Sequence, residues 1–146
     1  MPIRHLFIVG LLIASTAVQA QQPKPAGMSL TEAAARRFPQ PVRVGDLLKR
    51  QVLRPLESQP TVGWVRNVVK QPDGSVDVVV DYGGVFGLFT RPIAVPVDAM
   101  VLLGHYMEIV DFTPEQLKQF KTFDTASTMP LPPDSIIHVG LARPSH

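Results

Sequence analysis

Residues Val62 to Lys70 and Ser75 to Tyr82 form two runs rich in β-forming side chains, separated by Gln71-Pro72-Asp73-Gly74. Proline presets φ for a turn and glycine accepts left-handed backbone, so this stretch doubles back as an antiparallel hairpin. In the second run Val76, Val78 and Val80 alternate with Asp77 and Asp81, which places one face on a core and the other in water. Val79 is an apolar exception on the wet face. The 15 prolines and 10 glycines are spread along the chain without a repeat, which favours short β elements joined by tight turns.

The rest of the chain fits one such domain. Its 146 residues are 45% hydrophobic and 18% charged, enough apolar material for a core and too few like charges for disorder. Ser29-Leu30-Thr31-Glu32 has the spacing of a capping box and predicts a short helix ending before Pro39. Residues 29–41 are thus a helix and linker. Val42 to Leu48 reads as a strand and turn, Val52-Leu53-Arg54 as a brief strand, and the region around Pro55 and Pro60 as a loop. After a glycine-punctuated loop at Gly83-Gly84 and Gly87, Ile93 to Val95, Val97 to Leu103 and Met107 to Val110 supply further strands. Pro96 belongs at an edge or bulge, where its missing N–H costs nothing. Thr113-Pro114-Glu115-Gln116 starts a helix expected to run to about Phe123, with Leu117 and Phe120 closing one end of the core. Residues 124–146 read as a proline-rich linker followed by a strand-like tail, Ser135 to Leu141, that needs a partner surface.

The N-terminus is an address. Arg4 precedes an apolar run of 13 residues, Leu6 to Val18, and Val18-Gln19-Ala20 presents small side chains where a signal peptidase reads. Residues 1–20 are read as a signal peptide cleaved after Ala20, which predicts a periplasmic or secreted protein with no transmembrane anchor; the run is short of the roughly 18 to 20 residues of a stable span. Residues 21–28, with two prolines and little to bury, read as a disordered leader.

Charge and chemistry narrow the function. The chain has 14 Lys and Arg against 12 Asp and Glu; loss of Arg4 leaves 13 against 12, or +1, and nucleic acid is not the expected partner. Six basic and two acidic residues fall in 32–54, seven acidic and only Arg91 as a basic one in 73–115, so a two-signed surface is expected. There is no cysteine for a disulfide or thiolate site. His105, His138 and His146 lack helical ligand spacing, Gly83-Gly84-Val85-Phe86-Gly87 is not followed by the Lys-Ser/Thr of a phosphate loop, and no serine stands in a nucleophile elbow. The expectation is a protein without catalytic residues, cofactor or metal.

In order and spacing, residues 42–123 resemble the PRC-barrel family, the domain shared by the photosynthetic reaction-centre H subunit and ribosome maturation factors. Val44-Gly45-Asp46-Leu47-Leu48 is similar to its opening strand, Val62-Gly63-Trp64-Val65-Arg66-Asn67-Val68-Val69 to its second, and Pro72-Asp73-Gly74 to its hairpin turn. Ile93 to Met100 and Asp111 to Leu117 are similar to its later "v-x-v-P-x-x-a-l" and "t-p-e-x-l" segments. Asn67 departs from the acidic residue often found there, and Gln51 to Thr61 is proline-rich where the family has a short turn. The resemblance implies a small antiparallel β-barrel of about six strands with short flanking helices. It also implies an interaction module with no shared catalytic site.

The resulting expectation is a non-catalytic protein–protein interaction or scaffold module of the cell envelope, the alternative being a small-ligand or metal carrier using the barrel mouth. The candidate interaction residues are Phe86, Leu88 and Phe89 in the glycine-rich loop and Ile136, Ile137 and Val139 in the tail. The loop side chains must pack inward or face a partner, and inward packing is expected; the tail must pair with its own domain or with a partner, and self-pairing is expected because a free apolar strand aggregates.

Overall fold

The structure, a computed structural model, describes residues 26–54, 60–85 and 87–142. The signal peptide read over 1–20, the leader through Pro25, Pro55, Phe86 and His146 lie outside the described residues.

Ser29 caps α1 (Leu30–Ala35) with the reciprocal Glu32 bond of a capping box, and Thr113 and Gln116 do the same for α3 (Pro114–Lys118). Between them lie β1 (Gln40–Arg43), α2 (Val44–Leu47), β2 (Gln51–Leu53), β3 (Thr61–Lys70), β4 (Val76–Tyr82), β5 (Arg91–Pro96), a 3-10 turn (Val97–Ala99), β6 (Met100–Leu103) and β7 (Tyr106–Ile109); β8 (Ile136–Leu141) follows α3. The protein is therefore mainly β with short helices.

The expected hairpin is β3–β4, with Lys70 opposite Val76. Its turn closes through Gln71 N–H to Ser75 O at 2.7 Å, with Gly74 at φ 89°. Asp73 accepts from the Ser75 hydroxyl and N–H, and these bonds hold its carboxyl below the usual range.

The architecture departs from a six-stranded antiparallel barrel. The sheet has eight strands in the order β1-β8-β6-β7-β2-β3-β4-β5, and two pairings, β2 with β7 and β6 with β8, are parallel. Its end strands, β1 and β5, are not paired with each other, so the sheet is not closed into a barrel. The reason lies in the C-terminal segment, which inserts between β1 and β6 instead of trailing as a tail. Val44 to Leu47, expected to be extended, winds into α2 because Val44 and Gly45 donate to Ser135 O and Pro133 O and not to a strand. The presumed linker is also held: Pro130 bridges to Val69, and Leu131 N–H donates to Val68 O.

One core joins these parts. Val44, Leu47, Val52, Val65, Val68, Val78, Val80, Ile93, Val95, Met107, Ile109, Leu117, Ile137 and Val139 belong to it. Val79 is fully buried too, contrary to the expectation of a wet position. The connection after α3 is held at two points, by Phe123 N–H to Pro92 O and by the bridge of Pro130 to Val69 on β3, and Val69 is buried with Val79. Helix α3 stops at Lys118, short of Phe123, because the Arg91 guanidinium receives its final carbonyls: it donates to Leu117 O, Lys118 O and Phe120 O. Leu117 is buried and Phe120 packs on the core, so this end is closed as expected. Both end strands carry proline, Pro41 in β1 and Pro92 and Pro96 in β5, which removes ladder donors where a foreign strand would add.

Candidate interaction surface

The surface starts from a close approach of two strands. A Cβ on Gly63 would stand 2.1 Å from Asp81 O, so only glycine lets β3 and β4 meet there. That contact sets Trp64 directly opposite Asp81. Two residues on, Arg66 Nη1 donates to Asp81 Oδ1 at 3.1 Å, with side chains 47% and 29% exposed, a solvent-screened pair that contributes little stability.

Past Tyr82, Gly83 and Gly84 take φ of 80° and 73°. Val85 and Leu88 then exchange both backbone hydrogen bonds at 2.9 Å, and a Cβ on Gly84 would lie 2.0 Å from Leu88 O. This turn is shaped by its backbone. Its side chains point away from the core: Val85 is 62% exposed, Leu88 63% and Phe89 92%. For Leu88 and Phe89 the expectation of inward packing is not met, because the core is already filled by Leu117, Ile93 and their neighbours without them; Phe86 lies outside the described residues. Phe89 also holds a left-handed backbone at φ 62°, uncommon for a bulky residue. Beneath the turn lies a groove of about 490 Å³ lined by Trp64, Asp81, Gly87 and Thr90.

The tail residues are placed differently. Ile137 and Val139 are 6% and 1% exposed and belong to the core, whereas Ile136 is 55% exposed. Ile136 lines another groove of about 590 Å³ with Arg43, Arg50 and Leu102. Arg50 is committed there to Asp46 O and Gly104 O. The structure therefore does not bring Ile136 together with Leu88 and Phe89 in one groove. Of the acidic side chains read as wet, Asp77 and Asp81 are half-buried; Asp77 accepts from Gln71 Nε2 at 2.8 Å.

Sequence reasoning did not single out Glu108. It is 1% exposed, set in β7 between Val101 and Leu53 in register, and its Oε1 has no hydrogen-bond partner among the described residues. Burial pushes its carboxyl above the usual glutamate range. The available signal was one charge inside the apolar run Met107 to Val110. Among the described residues no group of three His, Asp or Glu side chains is placed to hold a metal ion. His105 and His138 are both exposed. No helix among the described residues is long and apolar enough to cross a membrane.

Fold and surface together define a small mainly β protein that displays an apolar turn at one end. No family model matches the chain, and no curated protein matches it.

Proposed function

We propose that this chain is an exported, non-catalytic interaction module of the cell envelope, a divergent relation of the PRC-barrel domain whose sheet stays open, and that it docks a protein partner on the 85–89 turn. The observation that carries the reading is Phe89: 92% exposed and left-handed at φ 62°. A large apolar side chain held in water on costly backbone gives nothing to folding, and such outliers collect where a protein binds. Other docking modes have less to support them. The end strands carry prolines against strand addition, and β8 is hydrogen-bonded on both sides within its own sheet.

The test is a photo-crosslinker placed at residue 89 in the chain expressed from its own signal sequence. The expected result is one dominant adduct in the envelope fraction, lost with Leu88→Ser, and a mature N-terminus at Gln21 in the same mass spectrum. Labelling no stronger than from a crosslinker at exposed Lys121 would overturn the docking reading, and retention of Met1 to Ala20 would overturn the cleavage.

A further inference from the structure

We infer that the groove between Trp64 and Asp81 receives a basic side chain, arginine or lysine, of the protein partner, next to apolar residues that lie on Leu88 and Phe89. The inference rests on the docking reading above and names what the partner presents.

Trp64 is the only tryptophan in the chain. Its neighbour Val65 enters the core, while Trp64 stays half-buried and lines the groove. Asp81 stands directly across from it. One carboxylate oxygen, Oδ1, is taken by Arg66; among the described residues Oδ2 and the indole N–H make no hydrogen bond. Gly87 forms the wall above: a Cβ there would come within 4.0 Å of the indole ring, and the bare glycine keeps the groove open. Leu88 and Phe89 sit in sequence between the lining residues Gly87 and Thr90, and so form its rim.

An indole with a carboxylate beside it suits a cation, which gains from the ring quadrupole and from the charge together. The site already tolerates a guanidinium, since that of Arg66 reaches Asp81 from the flank with its side chain 47% exposed. An acidic segment would meet Asp81 with like charge. A wholly apolar segment would cover the carboxylate without giving it a new partner, which is costly. The volume of about 490 Å³ suits a side chain and its neighbours, at the low end of what small-molecule pockets offer.

Trp64 fluorescence reads the site without a label. The mature protein is titrated with acetyl-Leu-Arg-Phe-amide, with the same peptide carrying Gln, and with that carrying Glu. The expected result is a saturable change with the arginine peptide, roughly fivefold or more weaker with glutamine and weakest with glutamate. In Asp81→Asn, shown by melting to be folded, the preference for arginine disappears. Equal binding of all three peptides, or an unchanged preference in Asp81→Asn, overturns the inference, as does no response to the arginine peptide. If the residue-89 crosslink persists in those cases, docking stands and only its basic recognition falls; if the crosslink is lost as well, both fall.

Discussion

Arg37 grips Asp111 with two parallel hydrogen bonds, Nη1 to Oδ2 at 2.7 Å and Nη2 to Oδ1 at 2.8 Å, and the aspartate side chain is fully buried. The same guanidinium reaches Asp98 O at 3.2 Å, and the Arg37 carbonyl accepts from Leu141 N–H. This pair thus joins the segment after α1, the one before α3 and the end of β8. Removing Arg37 takes from the buried Asp111 carboxylate its cationic, bidentate partner, which costs up to about 3 to 5 kcal/mol. Arg37→Ala is expected to lower the melting temperature by roughly 10 to 15 °C, and Arg37→Lys, which cannot make the fork, to lose a good part of that. Thermal melts check this; a shift below about 3 °C for Arg37→Ala means the pair is only a surface contact.

Glu108 makes stability depend on pH with a definite sign. Its folded pKa lies above the ordinary 4.5, so the folded state binds the proton more tightly than the unfolded chain. Its contribution is fully present below about pH 4.5 and is lost as pH rises through the folded pKa. Glu108→Gln, a near copy of the protonated acid, should melt with the wild type at pH 4 and increasingly above it towards pH 8. Melting curves that stay parallel across that range would show that Glu108 finds a solvated or paired position.

A chain ending at Met129 loses β8 and the bridge at Pro130. Ile137 and Val139 leave the core, and β1 and β6 both lose a partner. Circular dichroism should show no cooperative melt. A truncated chain that still melts within about 5 °C of the full one would place β8 outside the folding unit.

Phe89→Gly separates folding from binding. Glycine adopts φ 62° freely, and no burial is given up at a position 92% exposed. Stability should hold or rise, by up to about 1 kcal/mol, while partner capture is lost. A marked fall in melting temperature would show that the ring packs on its own protein.

What was legible in the sequence was local. The hairpin around Pro72-Asp73-Gly74 and the capping boxes at Ser29 and Thr113 each depend on residues a few positions apart, and each formed where expected. The placement of β8 depends on partners about a hundred residues away, as with Arg43 opposite Ile136, and no periodicity in 136–141 announces a parallel neighbour. Val44 to Leu47 reads as extended because Val42 and Val44 favour strands, yet contacts with Pro133 and Ser135 wind it into α2. The candidate surface was half legible: apolar groups beside three glycines marked the turn, but nothing local in the sequence told that Leu88 and Phe89 face outward.

The insertion of β8 also sets a timetable. Among the described residues the only strand beside β1 is β8, so residues 40–43 stay without that neighbour until residues 136–141 have been made. A sheet that closes on its last strand folds late and as a whole, because the entropy of joining distant segments must be overcome before their contacts reward it. For a chain threaded through a membrane, as we propose for this one, that delay keeps the leading end slack during passage and leaves assembly to the far side.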